Sequence, residues 1–342
     1  MRFGIILPIQ AAGVGLQQLL AELRAEVAAA DRAGFDAFFL PEFHSVRGAG
    51  GLISPAVLGA ALAEGTSRIK VGQAVLAAPL HHPVRVAEDI AMLSWLTEGR
   101  ALLGVGSAHM PTDFDLYGVH RPDRYRLLRE LLDVVRAAWS GERFSLHGYE
   151  GRVSPRPYGD TDPEIWMGAH GPAGLTLAGR QTDVWISDPQ RHVDVVADLA
   201  TRYRAAAANA GRPARVAMFR DGWIDDSRST CAQVWLPHAL AVHRLYFNVG
   251  VYRPEFEPWV SDIASRDDFT ADRVAPGRFL YGTGADIRAE LGDWRARTGC
   301  SYVAIRMRQP GGPGHERTME AIDRFGHEVI GPLSRVDASV GM

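Results

Sequence analysis

Short apolar runs alternate with longer stretches of helical periodicity along nearly the whole chain. Residues 2–8 form an apolar run closed by Pro8, which predicts a strand. Residues 16–33 carry Leu16, Leu19, Leu20, Leu23 and Val27 at helical spacing and stop at Gly34, which predicts a helix. Residues 35–40 are a second apolar strand, closed by Pro41, and Ser54-Pro55 starts a helix through Glu64, with Ser as N-cap and Pro at the first helical position. Six further strands follow at 69–76, 101–105, 164–167, 183–186, 215–224 and 301–307, alternating with helices at 83–96, 122–139, 173–179, 193–210, 229–247 and 316–330. Strands that are continuously apolar and alternate with helices belong to a parallel sheet covered by helices. Eight such units predict a (β/α)8 TIM barrel rather than an open doubly wound sheet, with residues 1–342 as a single domain. The pattern breaks in the polar, Gly/Pro-rich stretch 140–162 and again at 249–281, where Pro254, Pro258, Trp259 and Pro276 stand among acidic residues. A long irregular segment in a compact domain is usually functional or disordered. Following strand seven, it would be an insertion or lid at the catalytic face, and substrate contacts are expected from 249–278.

Composition narrows the class. At 46% hydrophobic and 23% charged residues, the chain is neither mostly disordered nor a coiled coil. Its longest apolar runs, such as 74–80, fall far short of the ~20 residues that cross a bilayer. The first residues lead straight into a strand and lack a secretory pattern, so a cytoplasmic location is expected. Cys231 and Cys300 lie too far apart for a disulfide framework or a Cys-based metal site. A net charge of −3 argues against nucleic acid as a main partner. Lys70 is the only lysine, and every other Lys/Arg position is arginine, as a GC-rich genome would give.

In a barrel the chemistry sits in the loops at the C-terminal ends of the strands. After strand two come Glu42 and His44, two residues apart, so both can face the barrel mouth as an acid/base pair or form a structural ion pair. After strand four, Gly104-x-Gly106 lacks the third glycine of a dinucleotide fingerprint. It allows backbone to approach a flat ligand or makes a plain tight turn. After strand five, the small residues of 168–174 run into a short helix, whose free N–H groups suit a phosphate if the loop is more than an ordinary strand-to-helix turn. His81-His82-Pro83 reads as a helix cap, and His238 and His243 share a helix face poorly. No metal cluster, Ser-His-Asp spacing, Walker loop or Gly-x-Ser-x-Gly elbow is visible.

Several motifs agree in order. The stretch 34–44 ends in Pro41-Glu42-Phe43-His44. Lys70-Val71-Gly72 leads to Pro79 and then His82-Pro83-Val84-Arg85-Val86-Ala87-Glu88-Asp89. Leu96-Thr97-Glu98-Gly99-Arg100 and Asp113-Phe114-x-x-Tyr117-Gly118 continue the series, with weaker segments at 168–183 and Tyr281-Gly282-Thr283. Together they resemble the bacterial luciferase-like flavin oxidoreductase superfamily over nearly the whole chain. The resemblance implies a (β/α)8 barrel that binds FMN or, in one branch, the deazaflavin F420. It implies that Gln73, Ala74 and Val75 run along the flavin ring, with a cis peptide at Ala74–Val75. Gly106 and Ser107 would border the cofactor, and Gly168, Ala169, His170, Gly171 and Ala173 would hold its phosphate. Ser107 stands where luciferases have arginine, and Phe43 where they have the first of two histidines; both departures point away from aldehyde luciferase chemistry. The resemblance further implies a monooxygenase fed reduced FMN by a separate reductase and using O₂ on a small-molecule substrate, possible natural-product chemistry included. His44 would be the proton donor, Glu42 its orienting partner, and His109 and Trp223 the substrate side. An F420-dependent dehydrogenase or reductase and a non-catalytic flavin-binding partner subunit are the alternatives. Family members are commonly dimeric.

Overall fold

The computed structural model describes residues 1–8, 14–44 and 54–334. Eight parallel strands form a ring: β1 (Arg2–Ile6), β2 (Ala37–Leu40), β3 (Lys70–Gln73), β4 (Leu102–Gly106), β5 (Glu164–Gly168), β6 (Val184–Ser187), β7 (Arg215–Ile224) and β8 (Tyr302–Arg306). Register is continuous, with Ile5 opposite Phe38, Phe38 opposite Val71, Leu103 opposite Ile165, Met167 opposite Trp185, Trp185 opposite Val216 and Met218 opposite Val303. Pairing of Phe3 with Val303 brings β8 back to β1, and β3 meets β4 at one bridge, Val71–Ala101. The barrel anticipated from the apolar runs is present and nearly closed.

Two cores follow from the alternation of side chains along each strand. Inside the ring, Phe39, Trp166 and Tyr302 pack as a tilted and an edge-on pair, with centroids 5.2 and 4.8 Å apart, among Ile6, Ala37, Ile186, Ala217 and Ala304. The interior is therefore filled, and a ligand can be held only above it, at the rim. Outside, helices α1 (Leu16–Ala33), α2 (Pro55–Ala63), α3 (Pro83–Leu96), α4 (Arg124–Trp139), α5 (Pro172–Gln181), α6 (Val193–Asn209), α7 (Leu236–Asn248) and α8 (His315–Phe325) cover the strands. Helix α1 ends at Gly34 in the left-handed region, φ 92°, where a side chain would be strained. Lys70 opens β3, so it lies at the N-terminal face of the barrel, opposite the rim.

Three expectations need correction. The helix anticipated at 229–247 is two, Arg228–Val234 and α7. Pro237, at the start of α7, has no N–H to continue the earlier helix's hydrogen bonds. Residues 249–281 are not irregular throughout. They hold the turns Pro258–Asp262 and Arg266–Asp268, the short helix Ala271–Val274 and most of a strand, Phe279–Gly282, that extends the sheet beside the end of β7. Tyr252, Trp259 and Phe269 pack together there with Phe247, so the segment has a small aromatic core of its own. A helix at Gly284–Thr298 was not anticipated at all, although Thr283 and Asp286 form a capping box and Ile287, Leu291, Trp294 and Thr298 bury one face.

Candidate active site

The rim is built from the connections after β2, β3, β4, β5 and β6. After β2, Glu42 is buried and its carboxylate collects three donors. Oε1 lies 2.9 Å from Nε2 of His44 and 2.7 Å from Nε2 of His81, and Oε2 accepts the Ala77 N–H at 2.6 Å. Burial works to raise its pKa, but the hydrogen bond and charge of His81, the Ala77 N–H and the His44 hydrogen bond together hold it below the ordinary range. Glu42 is therefore an anion at neutral pH. On its other side His44 meets Tyr117, whose hydroxyl is 3.2 Å from Nδ1 and 3.5 Å from Nε2. Facing a carboxylate, Nε2 of His44 carries a proton. Asp113, on the short helix after β4, is buried beside this pair; desolvation raises its pKa, opposed by the charges of His44 and His109. His109 packs its ring edge-on against Phe43, centroids 6.1 Å apart.

After β3 the Ala74–Val75 peptide is cis, and both side chains lie at the upper edge of the inner core with Phe219. The Gln73 side chain is buried; its Oε1 accepts the Gly104 N–H at 3.3 Å while its Nε2 has no partner among the described residues. Gly106 is explained by packing: a Cβ there would come within 2.6 Å of Val75 Cγ2. Close approach of β3 and the residues after it to β4 needs both glycines, since a Cβ on Gly104 would come within 1.8 Å of the Gln73 carbonyl oxygen. Ser107 follows at the rim, half-buried.

After β5, Gly168, Ala169, His170 and Gly171 lead into α5, which no side chain caps. Pro172 has no N–H and the Leu175 N–H bonds to the Gly171 carbonyl. Ala173 and Gly174 are thus the first-turn residues whose N–H groups the helix itself leaves without acceptors. A Cβ on Gly171 would meet nothing within 4 Å, so the space over this turn is open. Beside it, Nε2 of His170 lies 3.3 Å from Asp188 Oδ2, and Arg191 Nε lies 3.6 Å from the same oxygen. Arg220 is fully buried and donates to the Asp188 carbonyl at 2.9 Å. Burial is the main reason its pKa falls to about 10; Asp188 opposes that fall and Arg278 adds to it. Two guanidinium nitrogens on each of Arg191 and Arg220, Ser187 Oγ and Asp188 Oδ1 are buried without hydrogen-bond partners among the described residues, with the Arg191 guanidinium over the Phe256 ring and that of Arg220 over the Trp294 ring. Orphaned donors of this kind call for an acceptor. A planar ring bearing a phosphate, the chemistry that FMN and F420 share, fits the donor set of Gln73 Nε2, the open α5 turn and the Arg191 guanidinium.

The rim thus brings together Glu42, His44 and His109 on one side and 168–173 with His170 on another. It does not bring Trp223 into the mouth. That ring is 2% exposed, and its indole N–H points to Asp225 at 3.4 Å. Sequence reasoning missed His81, Tyr117, Asp188 and Arg191. Asp188-x-x-Arg191 directly follows β6 and was legible as a strand-end motif. The partnership of His81 with Glu42 spans 39 residues and leaves no local signal.

The sequence model of the luciferase-like monooxygenase family matches residues 1–299. The 4-hydroxyprotoasukamycin monooxygenase of Streptomyces nodosus subsp. asukaensis is 33% identical over 195 residues, 54% of this chain and 52% of that protein. The F420-dependent glucose-6-phosphate dehydrogenase of Beutenbergia cavernae is 37% identical over 177 residues, 48% and 52% respectively. The chain spans about half the length of these curated relatives. Among solved structures, the oxygenating constituent of 3,6-diketocamphane monooxygenase from Pseudomonas putida, in complex with FMN, superposes with a TM-score of 0.80 at 20% identity, covering 96% of this chain and 98% of that one.

Proposed function

This chain belongs to the luciferase-like monooxygenase family, and we propose that it is an oxidoreductase that takes reduced FMN from a separate reductase and uses O₂ to oxidise a small organic molecule. The observation that carries this reading is the pair of donors without hydrogen-bond partners after β3 and β6, Gln73 Nε2 and the Arg191 guanidinium, together with the uncapped turn at Ala173. Bound reduced FMN supplies the electrons that activate O₂. Ala169, His170, Gly171 and Ala173 hold the phosphate, Gln73, Ala74 and Val75 support the ring, and the filled barrel below keeps the ring at the rim. His44 manages a proton in the mouth, oriented by Glu42, and His109 borders the substrate.

The second reading, an F420-dependent dehydrogenase, is favoured by the similarity to the Beutenbergia enzyme. In that case His44 is the acid/base partner of a hydride transfer. Anaerobic equilibrium dialysis against reduced FMN, oxidised FMN and reduced F420 separates them. We expect reduced FMN to bind most tightly and the protein to purify largely colourless. Tighter binding of F420, or purification with stoichiometric oxidised flavin, would replace the first reading. Absence of turnover with every cofactor would favour a flavin-binding partner subunit.

A further inference from the structure

We propose that Phe256, on the segment after α7, is a positioning residue for the cofactor's phosphate: its ring seats the Arg191 guanidinium, whose positive charge lacks a counterion until a phosphate is held at the α5 turn. The proposal rests on the cofactor-dependent oxidoreductase reading above and gives the segment 249–281 a role in it.

Charge balance carries the first half. Arg191, Arg220, Arg278 and Arg306 are all buried. Glu257 is taken by Arg278, and Asp221 by Arg306. Among the described residues that leaves Asp188 as the one anion for both Arg191, whose Nε lies 3.6 Å from its Oδ2, and Arg220, which donates to its carbonyl at 2.9 Å. Burial works to raise the Asp188 carboxyl, but the charges of His170, Arg191 and Arg220 hold it below the ordinary range. Asp188 is therefore ionised and cancels one positive charge of the two. A buried charge without a partner is costly, and an anion offsets it. The two guanidinium groups differ in where they sit. Arg220 lies over Trp294, a residue of the outer helix Gly284–Thr298. Arg191 shares Asp188 Oδ2 with Nε2 of His170, 3.3 Å away in the loop that leads into α5. The uncompensated charge thus belongs to the phosphate side of the rim.

The segment after α7 carries the second half. The Arg191 guanidinium lies over the Phe256 ring, 4.5 Å from its centroid, and Nη2 donates to the Val251 carbonyl at 3.2 Å. The neighbouring His192 N–H donates to Glu257 Oε1 at 3.1 Å, and Glu257 Oε2 accepts the Trp259 indole N–H at 2.8 Å, which pins the residue next to Phe256. Nε and Nη1 of Arg191 have no hydrogen-bond partner among the described residues. An aromatic face attracts a guanidinium without neutralising it. Phe256 therefore fixes where the charge stands and leaves it available to an anion, which a carboxylate at the same place would not do.

The test compares reduced FMN with reduced riboflavin, which has the same ring and no phosphate, by anaerobic equilibrium dialysis with melting measured alongside. Phe256→Leu keeps an apolar side chain and removes the π face. It should weaken FMN about fivefold and leave riboflavin unchanged, and Phe256→Tyr should restore FMN. Arg191→Met should weaken FMN at least as much, and adding Phe256→Leu to it should cost nothing further. Equal losses for FMN and riboflavin, or unchanged FMN affinity in Phe256→Leu, overturn the proposal. Inorganic phosphate titrated against the arginine Nε–H NMR signals of the wild type tests the charge without the cofactor. The Arg191 signal should shift, and a silent one overturns the proposal. If the wild type bound neither FMN nor F420 while phosphate still moved Arg191, the functional reading would fall and the anion seat would stand.

Discussion

Among the described residues, two buried carboxylates each hold an imidazole that has a phenol beside it, and the two sets differ in almost everything except composition. Glu42, His44 and Tyr117 stand at the rim with the phenol 46% exposed. Asp221, His243 and Tyr252 are sealed, the phenol 4% exposed. There His243 Nε2 lies 2.7 Å from Asp221 Oδ2 and Nδ1 meets the Tyr252 hydroxyl. Asp221 also receives Arg306 through two bonds, 2.6 and 3.0 Å, and Gln309 at 2.6 Å. Burial would raise the Asp221 carboxyl, but Arg306 and His243 hold it far below the ordinary range; burial likewise pushes His243 down. The sealed set is thus a charge-balanced anion–guanidinium pair with a neutral imidazole, joining β7, β8, α7 and the segment after it. The rim set has an anion whose bonded partners include no guanidinium. The same side-chain types are locked by a guanidinium in the sealed set and meet only imidazoles and a backbone N–H at the rim.

Breaking the sealed set should have the largest effect. Asp221→Ala leaves Arg306 buried without its partner and should cost about 3–5 kcal/mol, read by urea unfolding. The pH dependence has the same origin. A carboxyl depressed in the fold contributes stability above its unfolded pKa of ~4 and loses it as pH falls toward the native value. His243, held neutral, adds a loss below ~6.5, where only the unfolded chain takes the proton. Wild-type stability should therefore decline on acidification, and Asp221→Asn should flatten the lower part of that decline. A variant curve parallel to the wild type would remove Asp221 from the account.

Breaking the rim set should spare the fold and strike the chemistry. His44→Ala should lower product formation by ~10²–10⁴-fold and release hydrogen peroxide instead, with cofactor binding retained. Stopped-flow oxidation of reduced flavin with peroxide and product assays reads this. Normal product yield would make His44 structural and move attention to His109. Gly171→Val probes the opposite side of the rim. Its φ of −82° suits any residue and its Cβ direction is open, so melting should be unchanged while flavin affinity drops roughly tenfold or more, the cost of about one charge-assisted hydrogen bond. Unchanged affinity would put the phosphate elsewhere. The smallest effect belongs to His81→Gln. The amide can still donate to Glu42, and the change should cost within ~1 kcal/mol and leave turnover near wild type. A loss as deep as that of His44→Ala would show that His81 itself titrates in the reaction.

The barrel was legible because most strands are short apolar runs and several helices start on Pro or stop on Gly, such as α2, α3 and α5 at Pro55, Pro83 and Pro172 and α1 at Gly34. The helix at Gly284–Thr298 escaped because a polar composition and the internal Gly292 dilute its apolar spacing. The rim was half legible. Glu42 and His44 share a strand end, but His81 and Tyr117 reach them across 39 and 73 residues. Trp223 lies on the strand the apolar run predicted, but its burial could not be read there, because Phe279–Gly282 pairs beside that end of β7 from 55 or more residues away in sequence.

One position offers a practical handle. Lys70 is the chain's only lysine, and it opens β3 on the face opposite the rim. Lysine-directed coupling chemistry therefore has a single side-chain target, and it is as far from the mouth as the barrel is tall. Molecules fixed to a surface through that amine would share one orientation, all with Glu42, His44 and the α5 turn facing the solution.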